Sequence, residues 1–107
     1  MASGILGQAA LSITTNTTVY TVPASTLAIV NINVVNRSSA TASSVRVALA
    51  ATATPQNSEW IEYDATIPSN GVLERSGIAM NAGGRVVVYA STADCSVNVY
   101  GLEQSVA

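Results

Sequence analysis

"LAIVNINVVNR", residues 27–37, decides how the rest of the chain is read. Side chains alternate across an extended strand. Ala28, Val30, Ile32 and Val34 therefore fall on one face, and Ile29, Asn31, Asn33 and Val35 on the other. The first set is expected in a core and the asparagines outside. The same β-branched alternation recurs outward from this run. "TTVYTVP" (17–23) is a short strand halted by Pro23, which has no amide to continue a ladder. "VRVALAA" (45–51) places Val45, Val47 and Leu49 inward and Arg46 outward.

Further along, a strand is expected over about 59–65 in "SEWIEYDATIP" (58–68), and one strand or two short ones over 72–80, with a kink at Gly77. Strands at 85–91 and 95–101 are joined by "TAD", which reads as a hairpin. "PSNG" (68–71) and "NAGG" (81–84) are turns: Pro presets φ, and Asn-Gly tolerates positive φ. Turn signals every 8 to 15 residues, with no amphipathic helix to make parallel crossovers, predict an all-β protein. The expected fold is an antiparallel β-sandwich, immunoglobulin-like or jelly-roll-like, of seven to eight strands. Residues 1–10 are apolar and glycine-containing, and read as an N-terminal arm or edge strand. Residues 11–107 read as a single sandwich domain. In the arm, Ile5 and Leu6 are candidate interface residues.

Composition narrows the function. The chain has 107 residues and a net charge of −2, with no histidine. It also has no lysine, and only 9% of its residues are charged, against about 25% in an average soluble domain. So neutral an exterior suits either a plainly soluble Ser/Thr/Asn surface or one covered by other subunits; the second reading is preferred. Arg37, Arg46, Arg75 and Arg85 are scattered, so no basic footprint for nucleic acid is present. No apolar run approaches the ~20 residues of a membrane span. "MASGILGQAALS" lacks the basic start of a signal peptide.

Without histidine, Ser-His-Asp and Cys-His catalysis within the chain is excluded, as is Cys/His zinc. Without lysine, Schiff bases, Ser-Lys dyads and the P-loop are excluded as well. Cys95 shares a face with Val97 and Val99 and reads as a buried structural thiol. The chain has no D-x-[DN]-x-[DN]-G run to suggest calcium. Asn16 and Asn36 begin N-x-[ST] sequences that read as chance in a Ser/Thr-rich chain. No cofactor or metal is implied.

The remaining chemical candidate is 59–64, where Glu59, Glu62 and Asp64 flank the single Trp60. Alternation puts Trp60, Glu62 and Asp64 on one outward face and Ile61 and Tyr63 in the core. Same-face neighbours stand about 6.6 Å apart in backbone spacing, a separation compatible with an inverting carboxylate pair at ~6.5–9.5 Å. A glycosidase also needs a cleft that raises one carboxyl pKa, and so small a sandwich has little material for one. A sugar platform is the alternative, with Trp60 stacking and the carboxylates accepting. The preferred reading is an interface face made by Trp60, Glu62 and Asp64.

The order of short motifs adds a resemblance. "TTVYTVPA" (17–24), "VVNR" (34–37), "VRVALA" (45–50), "EWIEYDATIPSNGVLE" (59–74) and "GIAMNAGGRVVVYASTADCSVNVYGLE" (77–103) follow one another along nearly the whole chain. The series resembles a family of small virion structural proteins of tailed bacteriophages, including phages of cyanobacteria and other aquatic bacteria. The resemblance implies a β-sandwich building block with no catalytic residues, described variously among decoration, tail or fibre-associated proteins. Trp60 stands where another aromatic or a polar residue is often found. The expected role is a capsid decoration or cement protein, localised to the virion and favouring the capsid exterior. Its expected partners are the phage major capsid protein or other virion proteins, and further copies of itself as a trimer or dimer. The alternatives are a tail, collar or fibre-associated protein and, from another class, a carbohydrate-binding adhesion module.

Overall fold

A computed structural model describes residues 3–106. Eight strands form: β1 (Ser3–Ala10), β2 (Thr17–Thr21), β3 (Thr26–Asn36), β4 (Ser43–Ala50), β5 (Trp60–Ile67), β6 (Val72–Met80), β7 (Arg85–Ala90) and β8 (Cys95–Ser105). A single 3₁₀ turn, Asn57–Glu59, precedes β5. The strands make two four-stranded sheets, β1-β8-β3-β6 and β2-β7-β4-β5, and every pairing is antiparallel. This is the jelly-roll order, which selects between the two sandwich types expected. The chain behaves as one long hairpin closed at β4–β5, with β3 on β6, β2 on β7 and β1 on β8, then rolled up.

The core lies between the sheets, where the alternation of 27–37 holds. Ala28, Val30, Ile32 and Val34 are buried together with Val45, Val47, Val86, Val88, Cys95, Val97 and Val99. Each fully buried valine contributes about 1.5–3 kcal/mol of transfer free energy. Close packing also dictates Gly101. A Cβ there would overlap the Ile29 carbonyl oxygen on the neighbouring strand, and the residue sits at φ +153°.

Two expectations are corrected and one pair of alternatives is decided. First, "TAD" (92–94) is not a hairpin: β7 and β8 belong to opposite sheets, so the segment arches over the end of the sandwich. Second, of the two readings of the N-terminal segment, the edge strand holds over 3–10: β1 pairs along its length with β8. A bulge between Ile5 and Gly7 turns Leu6 onto the core and leaves Ile5 exposed. Third, β5 does not keep one phase. Tyr63, expected in the core, is 58% exposed, because the register against β4 slips twice and Asp64 adopts φ +55°. Gly77 (φ +68°) does mark a kink, within a single strand β6 whose register shifts opposite Asn31.

One end of the sandwich is fastened by Asn36, a fully buried polar residue. Its Nδ2 lies 2.9 Å from the Thr41 carbonyl, 3.2 Å from that of Ile67 and 3.3 Å from that of Pro68, while Oδ1 accepts from Ser38 N–H. The amide joins the β3–β4 connection to the end of β5. Its burial also withdraws the second N-x-[ST] sequence from the surface of the folded chain.

Candidate functional site

The stretch 59–64 becomes four separate structural devices. Glu59 takes N–H donations from Gln56 and Ala51 at 2.7 and 3.0 Å, closing the loop before β5. Glu62 pairs with Arg75 of β6, whose guanidinium also reaches the Ile61 carbonyl. β5 and β6 are the unpaired edges of opposite sheets, so this ion pair spans the open side of the sandwich. Asp64 accepts from Arg46 Nε at 2.6 Å. Trp60 packs on Ala48, Ala50 and Val87, apolar residues on the outer side of their sheet, which makes a second, smaller core.

A bulge brings Tyr63 and Asp64 together. Val45 faces Ala65 and Val47 faces Glu62, so Arg46 stands opposite both Tyr63 and Asp64. Its guanidinium lies over Tyr63 at 4.2 Å and over Tyr89 of β7 at 4.5 Å. Trp60 meets Tyr63 edge-on at a centroid distance of 5.4 Å. The hydrogen bond to Asp64 is the main cause holding the Arg46 pKa above its ordinary value. Each charged group in this patch already has a partner. The expected single face of Trp60, Glu62 and Asp64 therefore does not form: the three side chains serve a small core, an inter-sheet ion pair and an arginine clamp.

These contacts change the chemical options at 59–64. Glu62 and Asp64 are each engaged by a different arginine, so the two carboxylates do not stand together as a free pair. A recess of ≈ 370 Å³ lies nearby at the end of the sandwich. Its walls include Leu49, Ala51, Ala79, Met80 and Ala82, with Glu59, already engaged, as the one titratable side chain. Among the described residues no group of three or more His, Cys, Asp or Glu could hold a metal ion.

Four of the exposed apolar residues, of which the sequence singled out Ile5 alone, gather elsewhere. On the outer face of the β1-β8-β3-β6 sheet, Ile5 lies opposite Tyr100, and Leu102 opposite Ile29. Their exposures are 67, 37, 60 and 40%. Next along the strands comes an amide row, with Gln8 opposite Asn98 and Asn98 opposite Asn33; Gln8 Nε2 donates to Asn98 Oδ1 at 2.7 Å. The signal was present in the outward residues of 27–37, but only the strand order shows that their neighbours are also apolar or neutral. Set against protein-family models, curated proteins and solved structures, the chain matches none.

Proposed function

We propose that this chain is a non-enzymatic structural subunit of a tailed-bacteriophage virion, acting as a decoration or cement protein on the capsid exterior. The observation that carries the reading is the outer face just described. Isoleucine, leucine and tyrosine stand exposed side by side on a chain with few charges. Contiguous exposed apolar surface marks a contact site. The motif resemblance supplies the virion context. In this reading, coat subunits or other virion proteins cover part of the exterior and copies of the chain cover another part, as a dimer or trimer.

Adding the labelled protein to particles stripped of accessory proteins tests the proposal. Binding is expected over the head lattice, at hundreds of copies per particle. Label confined to tails or collars would transfer the subunit to the tail, and no binding to any particle part would overturn the virion reading.

A further inference from the structure

We propose that the outer face of the β1-β8-β3-β6 sheet docks a second copy of the chain face to face, about a twofold axis along the row Gln8–Asn98–Asn33. The inference deepens the oligomer part of the proposed function, and its own support is geometric.

The face carries a ridge on one side of that row and a recess that opens from the row toward the other side. The ridge is Ile5, Tyr100, Leu102 and Ile29. The recess, ≈ 330 Å³, is lined by Gln8, Ala10, Ser96 and Asn98 among others. Ala10 and Ser96 face each other in the ladder and are small. A twofold rotation about the amide row reverses the strand direction and keeps each strand over its own copy. Ile5 and Tyr100, the part of the ridge next to the row, then lie over Ala10 and Ser96 of the other copy, twice, as an isologous interface requires, while Leu102 and Ile29 reach the rim beside Asp94 and Arg37.

Charge and hydrogen bonding fit the same occupant. In a symmetric face, groups on the axis meet themselves, so a charge there would repel its copy. Primary amides carry both donors and acceptors and pair with themselves. On the two central strands, β8 and β3, every outward residue opposite a partner from Leu27–Gln104 to Val35–Ser96 is uncharged. The one charge on the outward rows described is Glu74, opposite Asn33 on the edge strand β6, where it would stand near its own copy at the rim. Four strands ~4.8 Å apart and about eight residues long give a projected face on the order of 500 Å². A face of that size suits a small, weak interface at or below the ~800 Å² of accessible surface per partner of the standard class.

Sedimentation velocity on the isolated full chain tests this without any particle. A concentration-dependent dimer is expected, with Kd in the micromolar range. N98D and N98K should each weaken it about tenfold or more, with the fold retained in thermal melts, since Asn98 is half-buried on the outer face and its side-chain bond from Gln8 is exposed. An equimolar mixture of N98D and N98K should restore the dimer, since only a self-facing row puts the two charges together. E74Q should tighten association. A wild-type chain that stays monomeric at hundreds of micromolar overturns the proposal, as does a dimer indifferent to N98D or a mixture that fails to re-pair. Particle binding is read separately, so failure of this interface and failure of the virion reading are distinct results.

Discussion

The hydroxyl of Tyr20, in β2, donates a 2.5 Å hydrogen bond to Oε2 of Glu103, in β8. The bond crosses from one sheet to the other, and Tyr20 is only 7% exposed. It is the counterpart of Glu62–Arg75, which spans the sheets between β5 and β6. Burial, then the carboxylate beside it, raises the Tyr20 pKa well above the usual tyrosine range. The folded state therefore keeps the proton that the unfolded chain releases near pH 10. This contribution to stability is complete below pH 10 and declines as pH rises above it. Urea unfolding of Tyr20→Phe at pH 7 should show a loss of about 1–2 kcal/mol. Between pH 10 and 11 the variant should lose less stability with rising pH than wild type. An equal decline in both proteins would exclude the linkage.

Asn36 serves three carbonyls with one amide. Asn36→Ala should destabilise by about 2–4 kcal/mol, because buried acceptors are left unpaired. Asn36→Asp should be at least as damaging, since a carboxylate adds buried charge and removes the donors. The midpoint of urea denaturation reads both; a shift of a few tenths of a kcal/mol would show that water replaces the amide.

The Glu62–Arg75 pair is partly solvated, with Arg75 48% exposed. Its coupling energy in a double-mutant cycle should be no more than about 1 kcal/mol. Its larger effect should be local. Arg75→Ala is expected to speed hydrogen exchange in β5 and β6 while leaving β3 and β8 protected. Uniform acceleration across all strands would mean that the pair supports the whole fold.

Trp60 reports on its own environment, since it is the only tryptophan. Trp60→Ala uncovers Ala48, Ala50 and Val87 and should cost about 2 kcal/mol, less than a fully buried tryptophan would. In the wild type its emission should be blue-shifted relative to free indole and resistant to quenching by acrylamide. Ready quenching would place the ring in solvent and reopen a role as an exposed platform.

Residues 27–37 were legible because one clean period of two meets one core face. The pairing of strands was not. A strand entering a hairpin and a strand arching to the opposite sheet carry the same alternating pattern, so "TAD" fits both. Val86 and Val88 meet Val97 and Val99 across the core, not beside them. At 59–65 the phase was lost at a bulge, and Asp64 was the available clue, because Asp tolerates positive φ where a bulky residue does not. Ala48, Ala50 and Val87 lie on an outer face and are nevertheless buried, since a tryptophan from the neighbouring strand folds over them. Alternation alone records direction and says nothing of a lid.

The rolled order of the strands also sets a timetable. Only β4 and β5 are consecutive strands in one sheet; the contact between Gln8 and Asn98 spans 90 positions. Closing such a loop is entropically demanding, and folding dominated by distant pairings falls in the millisecond-to-second range. The ladder of β1 on β8 joins the first strand of the sandwich to its last. The outer face they share therefore cannot form until β8 has been made, however early β1 emerges.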